Sequence, residues 1–190
     1  MLKSLFLISI GVLITLGIYF VIHTFWSFSA QRTRDYAKES PTLDLKTHLQ
    51  GNFIASGLIY DYTGRVNTRF RAKLQGRFDS RSGTLDENFV YSHGPTQKRK
   101  WNITLEQNGK FTATAADVIG KAQGEYKGNA LVMRYRLQLP KRSGGYILDV
   151  VDWMYLLEDG TILNRSEMRK FNLKVAELFA VFVEETAEKN

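Results

Sequence analysis

The chain has 190 residues, 44% of them hydrophobic, with no cysteine and a formal charge of +7. That length suits one folded domain plus an appendage, and the missing cysteine excludes disulfides, thiol nucleophiles, thiolate metal sites and lipid attachment through cysteine. With only three histidines, His23, His48 and His93, and no HExxH spacing, a zinc centre or a Ser-His-Asp triad lacks its parts, so no cofactor or metal is expected.

Ser4 to Ala30 carries no charged side chain, and its first part, SLFLISIGVLITLGIYFVI, is almost wholly apolar. A helix of about 20 such residues spans the hydrocarbon core. Tyr19, Phe20, Phe25, Trp26 and Phe28 then supply the aromatics expected at an interface. A cleaved signal peptide is the competing reading, with Lys3 as its basic region and Ser27 and Ser29 for the peptidase. The apolar run is longer than the roughly 7 to 15 residues of such peptides, which favours an uncleaved anchor over residues 1–30. By count alone, Lys3 against Arg32, Arg34, Lys38 and Lys46 would hold the following domain in the cytoplasm. Arg32 to Glu39 is mixed in sign, however, and that makes the count a weak guide.

Residues 31–50 read as a tether that docks, because Pro41 breaks any helix and Leu43 alternates with Leu45. From residue 51 to 190 strand follows strand. Asn52 to Tyr62 is the first and ends in a turn at Asp61 to Gly64. Gly64 to Asp79 follows, with two faces that separate cleanly. Val66, Thr68, Phe70, Ala72, Leu74, Gly76 and Phe78 alternate with Arg65, Asn67, Arg69, Arg71, Lys73, Gln75, Arg77 and Asp79. A period of two over so long a run predicts a strand with one dry and one wet face, and hence an antiparallel sheet.

SRSG then turns into a run where Leu85, Glu87, Phe89 and Tyr91 share a face. His93, Gly94 and Pro95 form a hairpin tip, and Arg99, Trp101, Ile103 and Leu105 share a face on the way back. KFTATAADV follows, Gly120 interrupts, and Ala122, Gly124 and Tyr126 continue in phase. After KGN, Leu131, Met133, Tyr135, Leu137 and Leu139 alternate against Arg134, Arg136 and Gln138. YILDVVDWMYLL is apolar on both faces, so it is either covered outside or bulged near Asp152. TILNRSEMRKF and VAELFAVFVEE close the chain.

Nine to ten antiparallel strands joined by short turns form a meander, and closing it into an up-and-down β-barrel removes its edges. The expected fold is therefore all-β, a barrel preceded by one transmembrane helix. Ala113, Ala115, Ala122 and Gly124 suit a tight bend or a lumen that leaves room.

The segments PTLDL (41–45), FIASGLIYDYTGRV (53–66), TRF (68–70), LDENFVY (85–91), DVIGKAQGEYKGNAL (117–131), DWMYL (152–156) and NRSEMRKF (164–171) resemble the bacterial family known as domain of unknown function 3833. Its members are mostly envelope lipoproteins with a lipocalin-like barrel. The resemblance implies that fold, an exported location, and a link to the modification of membrane fatty acids. Family members carry a lipid-modified cysteine before the barrel. This chain has none, and the uncleaved helix looks like its replacement. The barrel is thus expected on the periplasmic side of the inner membrane.

If one face of each strand lines the lumen, Glu87 and Arg99 point inward on neighbouring strands and should pair, since an unpaired buried charge is costly. Asp117, Asp152, Asn164 and Lys170 are further polar residues in the family-like segments. Together they make a candidate polar floor for the head of an apolar acyl-chain ligand, a membrane lipid or fatty acyl group. Its tail would touch Phe70, Phe89, Trp101, Met133 and Tyr135. An internal ion-pair network inside a filled barrel, serving as a structural or interaction module of the envelope, is the alternative. Trp101 and Trp153 each read as core residues rather than stacking platforms. Glu87, Asp117 and Asp152 could act as acid and base, but no nucleophile or metal set accompanies them, so a binding module is favoured over an enzyme. Arg65, Arg69, Arg71, Lys73 and Arg77 form a basic stripe opposite the aromatic face. That arrangement suits anionic lipid head groups better than nucleic acid, and no nucleic-acid partner is expected.

Overall fold

The structure is a computed structural model that describes residues 2–25, 27–94 and 96–185. Trp26 and Pro95, read above as an interfacial aromatic and a turn residue, lie outside the described residues. Helix α1 spans Leu2–Phe25, and within it Lys3–Ile22 is long and apolar enough to cross a membrane. At 1.5 Å per residue those 20 residues reach about 30 Å, the thickness of the hydrocarbon core. A boundary between two compact units falls between Arg32 and Thr33. Residues 33–50 of the tether therefore fold with the barrel.

Ten strands follow: β1 (Gly51–Asp61), β2 (Val66–Phe78), β3 (Ser82–Tyr91), β4 (Gln97–Leu105), β5 (Lys110–Thr114), β6 (Val118–Lys127), β7 (Ala130–Gln138), β8 (Ile147–Leu156), β9 (Ile162–Lys170) and β10 (Leu173–Glu184). Each pairs antiparallel with the next, and β10 pairs with β1, closing a lipocalin-like barrel. Closure leaves no row of unpaired backbone groups, the usual liability of an open sheet. In β2 the alternation read from sequence holds: Phe70, Ala72, Leu74 and Gly76 are buried, while Arg69, Arg71, Lys73 and Arg77 are exposed. Val66 departs from it and is exposed, because it begins the strand at the barrel rim.

Two local expectations are corrected. The break after KFTAT lies at residues 115–117, which turn between β5 and β6. Gly120 does not end a strand: it lies inside β6 with φ +74, where the pairing with β7 slips between Ile119 and Gln123. A left-handed glycine is what such a bulge requires.

For β8, whose two faces are both apolar, the pairings with β7 and β9 run without a register shift. Its outer face is covered instead. Trp153 is fully buried, and the Tyr36 ring packs 5.5 Å from it and 5.4 Å from Tyr155. The covering segment is held by Thr33 Oγ1, which donates to Glu125 Oε1 at 2.8 Å, and by Leu43 N, which donates to Gly128 O at 2.8 Å. Gly128 is glycine for a reason of space, since a Cβ there would lie 1.7 Å from Tyr36 O.

The same segment closes one end of the barrel. Asp44 caps the short helix α2 (Leu45–His48), its side chain accepting from Lys46 N and Thr47 N. That turns Leu45 and Leu49 into the interior, where both are buried. Each such side chain contributes roughly 1.5–3 kcal/mol by leaving water. Gly76 again makes room, as a Cβ there would meet Leu49 O at 1.6 Å. Gln50 Oε1 accepts from Phe78 N at 2.8 Å, pinning the chain to the barrel lip. The opposite end, where β3 meets β4, β5 meets β6 and β7 meets β8, is the mouth.

Candidate functional site

The inward faces of the strands enclose a cavity of about 190 Å³. Toward the closed end its walls are apolar: Leu45, Leu49, Leu74, Leu85, Ile103 and Phe111. Ala113 lines it as well, a small residue that leaves space where a larger one would fill it. Gly124, paired with Phe111 across β5 and β6, receives the Phe111 ring, which a Cβ would meet at 2.1 Å. Phe70, Phe89, Trp101, Met133 and Tyr135, the predicted tail contacts, all line the cavity. Phe70 sits edge-on to Phe89 at 5.5 Å and Trp101 edge-on to Tyr135 at 5.2 Å, geometries that aromatic quadrupoles favour.

Partway along the lumen the lining turns polar, and beyond it toward the mouth Phe89, Tyr91, Leu139 and Met168 line the cavity. Glu87 and Arg99 stand directly opposite each other on β3 and β4. Arg99 Nη1 lies 3.7 Å from Glu87 Oε2, an ion pair too long for a hydrogen bond. The closer partner of Arg99 is Asp117, from the turn between β5 and β6. Arg99 Nε donates to Oδ1 at 3.1 Å and to Oδ2 at 3.0 Å, and Nη2 donates to Oδ2 at 2.7 Å. Gln97 Nε2 donates to the same Oδ2 at 3.4 Å and accepts through Oε1 from Tyr91 Oη at 3.1 Å.

Across the lumen, Asp152 on β8 accepts at Oδ1 from Asn164 Nδ2 at 2.5 Å and from Ser166 Oγ at 2.6 Å. Asn164 Nδ2 also donates to Trp153 O at 2.9 Å. Four family-like segments thus supply Glu87, Asp117, Asp152, Asn164 and Ser166 to one cavity. Ser166 was not singled out from the sequence, although it shares a face with Asn164 two residues away.

The structure departs from the predicted site in two places. The polar groups form a collar below the mouth, and the floor is the apolar plug of Leu45 and Leu49. The reason is local: the tether brings leucines, not charges, to the closed end. Lys170 does not line the cavity. It ends β9, and its Nζ lies 3.5 Å from the centre of the Tyr146 ring, with the exposed Phe171 ring 5.4 Å away. Being last in its strand, it reaches the rim although its phase points inward.

The collar is electrostatically uneven. Burial pushes the Glu87 carboxyl up to about 7, with Asp152 and Asp117 adding to the rise and Arg99 and a hydrogen bond from Trp101 opposing it. Burial also raises Asp152, against the hydrogen bonds from Ser166 and Asn164. Tyr135 is raised by burial first and then by Asp152. Burial works against the charge on Arg99, yet Tyr135, Glu87 and Asp117 together hold it firmly protonated. Glu87 Oε2 is buried with no hydrogen-bond partner among the described residues. A carboxyl poised near neutrality with an open acceptor, in an otherwise apolar cavity, marks a candidate site.

Outside the barrel the inward and outward residues of NRSEMRKF divide cleanly. Arg165 Nε donates to Glu177 Oε1 at 2.6 Å, linking β9 to β10 on the outer face, and Arg169 Nη2 donates to Glu167 Oε2 at 2.6 Å within β9.

Among solved structures, the S-type phycobiliprotein lyase CPES from Guillardia theta is similar at a TM-score of 0.56 with 6% identity, over 83% of this chain and 99% of that one. Rv2717c from M. tuberculosis is similar at 0.51 with 12% identity, over 78% and 100%. A protein with unknown function from the DUF3598 family of Nostoc punctiforme is similar at 0.51 with 12% identity, over 76% of this chain and 50% of that one. At these identities the likeness is one of fold. No curated protein matches the chain. The model of the family described as protein of unknown function, DUF3833, matches residues 22–184. That match takes in every strand of the barrel and the whole collar, and the chain belongs to the DUF3833 family.

Proposed function

We propose that this chain is a membrane-anchored envelope barrel that binds or presents an amphipathic ligand, an acyl-chain lipid entering tail first. The observation that carries the reading is the cavity itself: apolar walls with a collar of polar groups set partway along the lumen. Pockets that orient a ligand combine apolar walls with a few placed polar groups. The volume sets a limit, since about 190 Å³ is little larger than an engineered cavity of about 150 Å³ that takes up benzene. The barrel therefore holds the end of a chain or a short chain, with the remainder leaving through the mouth. The fold is one that a phycobiliprotein lyase also uses. The cavity weighs against the filled-barrel alternative.

The anchor in this proposal is α1, left uncleaved in the inner membrane, with the barrel on the periplasmic side and a role beside enzymes that modify membrane fatty acids. Native mass spectrometry of the full chain, ejected from detergent micelles, tests the ligand. A bound acyl lipid at one per chain is expected, and repeated recovery of empty protein would overturn the reading. A reporter fused to the C-terminus tests the side of the membrane: activity of a periplasmic reporter is expected, and signal from a cytoplasmic one contradicts the placement.

A further inference from the structure

We infer that the collar selects a guest whose polar end donates hydrogen bonds, as an ammonium, amide or hydroxyl group does, and turns away carboxylate and phosphate ends. This rests on the carrier reading and specifies the head group that the same site accepts. The groups that face the collar are three acids, Glu87, Asp117 and Asp152, with one cation, Arg99, and the neutral Tyr135, Gln97, Asn164 and Ser166.

Arg99, Gln97, Asn164 and Ser166 already spend donors on the acids around them. Arg99 gives Nε and Nη2 to Asp117 and holds Nη1 toward Glu87. Gln97 Nε2 is spent on Asp117, and Asn164 and Ser166 are spent on Asp152. What stands open is an acceptor: Glu87 Oε2, on a residue only 7% exposed, with no hydrogen-bond partner among the described residues. Where Glu87 is ionised, an incoming anion would meet its charge with the one guanidinium already bound to Asp117, in a setting where charge is poorly screened. An incoming N–H or O–H would supply what Glu87 lacks. A phospholipid or free fatty acid must then leave its anionic end outside, or bind elsewhere.

The test uses three small probes of equal chain length, hexylamine, hexanol and hexanoate. Each is titrated against the full chain in nanodiscs of zwitterionic lipid, with empty nanodiscs as the blank and binding read by ligand-observed NMR. At pH 8 hexylamine and hexanol are expected to bind at least about tenfold more tightly than hexanoate, the scale of a modest like-charge penalty in a partly buried site. Because Glu87 then carries its charge, hexylamine should bind more tightly than hexanol, and Glu87→Gln should erase that advantage. Lowering the pH to 5.5 should do the same in the unaltered protein, which covers the case of a variant that fails to fold. Hexanoate binding as tightly as the other two would overturn the inference and leave the carrier reading standing. No binding by any of the three would overturn both.

Discussion

Glu87 has to lose solvent, sit 3.7 Å from one guanidinium and share the lumen with Asp152, and the consequence is a stability that depends on pH in an unusual sense. Its carboxyl titrates at about 7 in the barrel against an ordinary 4.5. Between those values the unfolded chain has released a proton that the folded barrel keeps, so folding stability falls as pH rises. The contribution is fully present below about 4.5 and is lost by about 7, amounting to at most about 3 kcal/mol. Glu87→Gln should flatten that slope and leave the barrel more stable than the unaltered protein at pH 8; urea midpoints at pH 5, 6, 7 and 8 give the comparison. Arg99→Met acts in the opposite direction, because it strands Asp117 and Glu87 without a counter-charge. Roughly 3–5 kcal/mol of stability should be lost at pH 8 in the same measurement. The Glu87–Arg99 pair was legible because both residues fall on dry faces of strands joined by one hairpin. The stronger Arg99–Asp117 contact was not, since the break that makes Asp117 a turn residue carries no strong turn chemistry in TATAAD.

Elements were legible where side chains alternate and obscure where another segment supplies the partner. β2 reads nearly residue by residue, but the outer face of β8 is covered by Tyr36 over Trp153, a partner that no local pattern in β8 announces. The plug was half visible: leucines in the tether signalled docking, yet nothing in their spacing said that Leu45 and Leu49 would become the cavity floor. Gly76→Ala tests that seat, since its Cβ would meet the Leu49 carbonyl at 1.6 Å and backbone yields poorly. A loss of about 1–3 kcal/mol is expected, the usual cost of overpacking, with faster hydrogen exchange across residues 43–50. The β9–β10 hairpin carries a different strain. Phe171 and Asn172 form its two-residue turn with φ +50 and +63, the geometry that Asn-Gly adopts most readily. Phe171 is 87% exposed and has little packing to lose. Phe171→Asn should therefore stabilise the barrel by about 0.5–1 kcal/mol in chemical denaturation.

At the scale of the whole molecule, the question is why a barrel of this size keeps space inside. If its about 190 Å³ stayed empty, a cost of about 24 cal/mol per Å³ would bring it to about 4.5 kcal/mol, a large share of the roughly 5–15 kcal/mol by which domains are usually stable. Filling it needs one substitution. Ala113 points inward from β5 and lines the cavity, and Ala113→Leu places three more carbons there without adding charge. If the space serves only to relax a scaffold, the change should be neutral or stabilising and leave the protein's behaviour in the envelope unaltered. If the space is for a guest, stability should hold or rise by about 1 kcal/mol while hexanol binding weakens at least about tenfold, the trade between activity and stability seen where a site is kept open. Thermal denaturation and the NMR titration, run on one preparation, separate the two. A variant equally stable and equally able to bind would mean that the guest sits outside the lumen. The basic stripe of Arg69, Arg71 and Arg77 on the outer face of β2 would then become the surface to alter next.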